Sequence, residues 1–136
     1  MERDKTRTKK IQEYYDLSCN YLESAKISLK NELFEPAMFS AIHALELSLK
    51  AALLTKTDDA WKTHNIGGQF GKHFKDDIGE EACKRINVIL SKYNLPRYPS
   101  EAPLEPDEIK EDINFIAEFI YRRSNERRTE IFVPKR

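Results

Sequence analysis

Residues 36–54 read Pro-Ala-Met-Phe-Ser-Ala-Ile-His-Ala-Leu-Glu-Leu-Ser-Leu-Lys-Ala-Ala-Leu-Leu, the longest apolar run in the chain. Three polar residues interrupt it: His43, Glu46 and Lys50. At about 100° per residue, His43 and Lys50 lie only about 20° apart, and Glu46 stands about 60° to one side. Leu47 and Leu54 share that sector, and apolar or small residues fill most of the rest. A helix apolar nearly all round sits in the middle of a bundle. The stretch therefore predicts a central helix with a short polar stripe on one face.

The chain on either side is helical in pattern. Ile11, Tyr15, Ser18, Leu22, Ala25 and Leu29 recur every three or four residues, predicting a first helix over about 8–31. Pro36 suits the first turn of the second helix, about 36–55, where its missing N–H costs nothing. The short link at 31–35 makes the two antiparallel. Ile66, Phe70, His73 and Phe74 also have helical spacing, but Gly67, Gly68 and Gly71 each weaken a helix by about 1 kcal/mol. A short, irregular third helix is expected. Asp76 or Asp77 is placed to cap a fourth, about 78–94, with Ile78, Ala82, Ile86, Ile89 or Leu90, and Tyr93 on its apolar face. Pro96, Pro99, Pro103 and Pro106 then impose an extended connection. Pro106-Asp107-Glu108 opens a fifth helix, about 106–125, burying Ile109, Ile113, Ile116, Phe119 or Ile120, and Tyr121. Ile131-Phe132-Val133 is a strand-like triplet that packs back, pairs with a partner or stays loose.

The chain has 136 residues, 40% hydrophobic and 34% charged, with 23 basic and 23 acidic residues. That fits one domain with a core of its own. With zero net charge, no bulk field draws nucleic acid or anionic lipid. Met1 to Lys10 is too polar for a secretory signal, and no apolar run reaches the roughly 18–20 residues of a membrane span. Cys19 and Cys83 have no metal spacing and read as reduced thiols of a cytoplasmic protein. Together these features predict an all-α protein: an up-and-down antiparallel bundle of four to five helices. One domain is expected over 1–136, its core about 10–125, with a basic N-terminal arm and a short C-terminal tail.

Phe34-Glu35-Pro36-Ala37, the run Ala41 to Leu54, His64-Asn65-Ile66 and Leu95-Pro96-Arg97-Tyr98-Pro99 together resemble the HEPN domain, the higher eukaryote and prokaryote nucleotide-binding domain, over about 10–122. The resemblance implies a helical bundle that is often homodimeric and is commonly encoded beside a small nucleotidyltransferase. By similarity to the C-terminal domain of kanamycin nucleotidyltransferase, it implies binding of that enzyme's nucleotide or substrate in a prokaryotic toxin–antitoxin-like module. Other members of the family are metal-independent RNases with an arginine followed four to six residues later by a histidine. Here the histidines are His43, His64 and His73, and no arginine precedes any of them within seven residues. The expectation is a non-catalytic HEPN protein with no cofactor and no metal, forming a homodimer and partnering a nucleotidyltransferase. RNA binding or cleavage through other residues is the alternative, and a pure homodimeric interaction module is a third.

The ligand-binding candidates are His43, Glu46, Lys50, His64, Arg97 and Tyr98; no catalytic residue is nominated. Glu46 and Lys50 stand four apart in the favourable order for an ion pair. The stripe is either such an internal clamp with a histidine hydrogen bond or a shallow polar pocket holding a phosphate. His64 caps the third helix or contacts a phosphate or base. Arg97 suits a bidentate phosphate or carboxylate contact and Tyr98 stacking on a base, unless they only close the bundle end. Arg122-Arg123 and Arg127-Arg128 complement the end of the fifth helix or meet an acidic partner.

Overall fold

The computed structural model describes residues 2–58, 65–93 and 105–131, with side chains for 5–58, 65–93 and 105–123. Within these residues the chain forms five α-helices and no strand. They are α1 (Glu2–Lys30), α2 (Phe34–Leu53), α3 (Ile66–Ile78), α4 (Glu80–Tyr93) and α5 (Pro106–Ile131). Trp61, the proline-rich connection and the residues from 132 onward lie outside the described residues. So do the side chains of Arg127 and Arg128.

α2 occupies the centre, as its composition requires: it packs against all four other helices. Its residues Leu45, Leu49 and Leu53 are fully buried, joined in the core by Leu22, Phe70, Ile86, Ile89, Ile109, Ile113, Ile116 and Ile120. Burying each large apolar side chain stabilises the fold by about 1.5–3 kcal/mol.

α1 and α2 form an antiparallel pair joined at Asn31–Leu33. Glu32 turns the chain there with a left-handed φ of 59°. The pair sits close because small residues line the seam. Ser18, Ala25, Ala37, Ala41, Ala44 and Ser48 have essentially no exposed surface, and the Ser18 hydroxyl donates to the Ala44 carbonyl at 2.8 Å. α1 begins as early as Glu2, so the basic stretch at the N-terminus belongs to the helix, where Arg7 pairs with Asp58.

The glycines do not spoil α3. It is a regular helix of 13 residues, and at Gly67 and Gly68 the surroundings make use of the glycine. Asn65 caps it, accepting from the Gly68 N–H at 3.1 Å. Gly67 is buried where α3 meets α4, and a side chain there would overlap Asn87 and Leu90. Neither Asp76 nor Asp77 caps α4. α3 runs past both to Ile78 and stops at Gly79, whose φ of 95° suits glycine. Asp77 pairs instead with Lys56 at 2.9 Å. Tyr121 is 43% exposed, outside the core; its phenol oxygen accepts from Lys26 at 2.8 Å.

Candidate functional site

Most of the α2 circumference is buried, by Ala37, Met38, Ala41, Ile42, Ala44, Leu45, Ser48, Leu49, Ala51, Ala52 and Leu53. Among the residues left uncovered, Glu35, Phe39, His43, Glu46, Leu47 and Lys50 form an outward strip. Glu35 is exposed, while His43, Glu46, Leu47 and Lys50 are half-buried. Phe39 is 65% exposed. The polar stripe therefore lies on the outer side of the central helix and not in the bundle interior.

His43 is held in a fixed orientation. Its Nδ1 stands 3.0 Å from the Phe39 carbonyl oxygen one turn earlier, so Nδ1 carries the proton and donates, leaving Nε2 as the acceptor. The imidazole stacks on Tyr21 of α1, with ring centroids 5.3 Å apart and planes at 29°. The Phe39 ring also packs against it, at 4.4 Å and 47°. Glu46 and Lys50 do not form the clamp their spacing allows; neither side chain has a hydrogen-bond or ion-pair partner among the described residues.

α1 completes this face. Ser18 meets Ala44, Tyr21 meets His43 and Ser24 meets Ser40. That antiparallel register brings Leu17 level with Leu47 and Tyr14 level with Lys50. Leu17 is 44% exposed. The outer α1–α2 face is thus an apolar and aromatic surface crossed by a few charges.

A second polar cluster joins α4 to α5, outside every motif of the sequence. Asp112 is 3% exposed. Its carboxylate accepts from Arg85 at 3.0 Å and from the Tyr93 hydroxyl at 2.6 Å, and Lys92 pairs with it at 2.9 Å. Lys92 also bonds Glu108, and the Arg85 guanidinium lies 5.0 Å from the Phe115 ring centre. Burial alone would raise the Asp112 carboxyl, but hydrogen bonds from Tyr93, Lys92 and Arg85 overcome it and hold the group below the usual carboxylate range. Burial, then the bond to Asp112, pushes the Tyr93 phenol up. Burial works against the Lys92 ammonium, yet its bonds to Glu108 and Asp112 raise it on balance. Every member has a partner, so the cluster is a strut between helices and offers no open valence to a ligand. A signal for it existed: Asp112 falls among Ile109, Ile113 and Ile116, a carboxylate on an apolar face.

Other chemistry is sparse. Burial raises the Cys83 thiol, which disfavours a thiolate nucleophile, and Cys19 and Cys83 are both free. Among the described residues no three His, Cys, Asp or Glu side chains gather to hold a metal, and no helix is long and apolar enough to cross a membrane. His64, Arg97 and Tyr98 lie outside the described residues, so of the six ligand candidates the structure brings together His43, Glu46 and Lys50.

Comparison with known proteins agrees with this architecture. The sequence profile described as "HEPN domain" matches residues 11–126. A protein of Methanocaldococcus jannaschii named "Putative toxin MJ0605" is 32% identical over 117 residues, covering 83% of this chain and 84% of the relative. No solved structure matches the chain at comparable significance. An all-helical bundle matched by that profile over most of its length belongs to the HEPN domain family.

Proposed function

We propose that this chain is the binding half of a two-protein, toxin–antitoxin-like module whose other half is a small nucleotidyltransferase, and that it holds a nucleotide or substrate and does not cleave RNA. The observation that carries this reading is the missing arginine: none precedes His43, His64 or His73 within seven residues. His43 is also engaged by its own helix and by two rings, which suits contact better than proton transfer. The similarity to an archaeal protein named as a putative toxin supports a toxin-like setting. Lys50 is the first candidate contact for a phosphate, because it is a cation with no partner among the described residues beside an aromatic shelf.

The test is calorimetric titration of ATP into the chain alone and into its mixture with a small nucleotidyltransferase. Saturable heat in either case, reduced at least tenfold in affinity by Lys50→Ala, is the expected result. No heat at millimolar nucleotide in both would refute the reading.

A further inference from the structure

Where α1 meets α2, Phe39, His43 and Tyr21 make a small aromatic shelf. The Phe39 ring is 65% exposed and packs against the His43 imidazole, which stacks in turn on Tyr21. His43 Nδ1 stands 3.0 Å from the Phe39 carbonyl oxygen. A carbonyl oxygen can only accept, so the proton sits on Nδ1 and the neutral ring offers Nε2 as a bare acceptor. Nε2 has no hydrogen-bond partner among the described residues. Nor is it one of the buried polar atoms left without a partner, so solvent reaches it. Glu46 and Lys50 follow on the same strip, one and two turns further along, and both lack partners among the described residues. Along the helix axis Lys50 lies about 10 Å from His43.

We propose that this shelf selects nucleotides by their base, taking those with an exocyclic amine and disfavouring those with a carbonyl at the same place. Adenine and cytosine carry the amine; hypoxanthine, guanine and uracil carry the carbonyl. The inference rests on the nucleotide-binding reading above and names what that site accepts. Stacking on Phe39 is indifferent to base identity, because every base has a π-face. Discrimination comes from Nε2, which accepts from an amine N–H and meets a carbonyl lone pair to lone pair. The order of side chains along the strip matches the order of groups in a nucleotide. The rings take the base, the Glu46 carboxylate accepts from ribose hydroxyls as acidic residues do in dinucleotide sites, and Lys50 meets phosphate. The same backbone carbonyl that fixes the His43 ring thus fixes which base fits.

The test is calorimetric titration of ATP, ITP, CTP and UTP into the full-length chain alone. All four carry the same triphosphate, so the Lys50 contribution cancels in the ratios. ATP should bind about tenfold more tightly than ITP, and CTP about tenfold more tightly than UTP. The ratio stays modest because water replaces the lost partner on an open shelf. His43→Phe keeps a ring on Tyr21 and removes the acceptor, so both ratios should fall to about one. Phe39→Ala should weaken ATP and ITP alike, by about tenfold. Circular dichroism checks that each variant is folded, and the wild-type ratios decide the matter even if a variant is not.

Equal affinity for ATP and ITP overturns the base selection and leaves nucleotide binding standing. A preference for ITP and UTP overturns it too, as does an amine preference that survives His43→Phe. No heat with any of the four removes the shelf as a site on this chain. The binding reading then falls as well only if the mixture with a nucleotidyltransferase is also silent.

Discussion

A methyl group added at Gly67 would overlap Asn87 Oδ1 and stand 2.9 Å from Leu90 Cδ1. Both are side-chain ends, so the structure can yield, but Asn87 would lose its 3.2 Å bond to the Cys83 carbonyl. Gly67→Ala should therefore destabilise by about 1–2 kcal/mol in urea melts despite alanine's better helix propensity. Asn87→Ala opens the space, so the same change in that background should cost close to nothing; an unchanged cost would mean that backbone conformation, not crowding, demands the glycine. This residue also marks a limit of reading from sequence. Three glycines look like a defect in a helix when each is judged by propensity. Only the packing of α4 against α3 reveals that one of them makes close contact possible.

Between elements, two contacts of different kinds hold the bundle. The α1–α2 seam works by small size. Ala44→Leu should cost about 1–3 kcal/mol through overpacking, whereas Ser18→Ala should cost less than about 1 kcal/mol, because the Ala44 carbonyl keeps its helical partner. The reverse ranking in thermal melts would show the hydroxyl, not the spacing, to be what matters. The α4–α5 strut works by charge. Asp112→Asn should lose about 2–3 kcal/mol at pH 7, since the buried acceptor of Arg85, Lys92 and Tyr93 loses its charge. Its pH dependence has a definite sign. The Asp112 carboxyl is lowered in the folded state, so its contribution is complete above about pH 4, the unfolded value, and falls away as pH drops through the folded one. The raised Tyr93 phenol contributes fully below about pH 10 and loses its effect above that. Stability measured against pH should therefore fall below about pH 4, with a shallower slope in Asp112→Asn. Equal slopes would remove Asp112 from the acid response. The helices themselves were legible because their apolar residues repeat every three or four positions. The strut was not, because Arg85, Tyr93 and Asp112 sit on two helices, and sequence spacing says nothing about which turns face each other.

For the whole molecule, the placement of α2 at the centre followed from its composition, while the placement of its polar stripe did not. His43, Glu46 and Lys50 share a sector by arithmetic, yet a helical wheel leaves open whether that sector meets another helix or solvent. Neighbouring helices cover the other sectors and leave this one outward, so of the two expectations for the stripe, internal clamp or shallow pocket, the internal clamp does not form. With 23 basic and 23 acidic residues, the molecule has little electrostatic pull on RNA. Any gel shift should vanish between about 50 and 200 mM salt. Persistence at high salt would point to a built RNA site.

The central claim, that this HEPN protein binds and does not cleave, is tested most directly by a time course with end-labelled RNA at low salt, where contact is strongest. Full-length RNA should persist as long with the chain as with buffer alone. Fragments that appear with the chain, survive its further purification and disappear with His43→Ala would contradict the account.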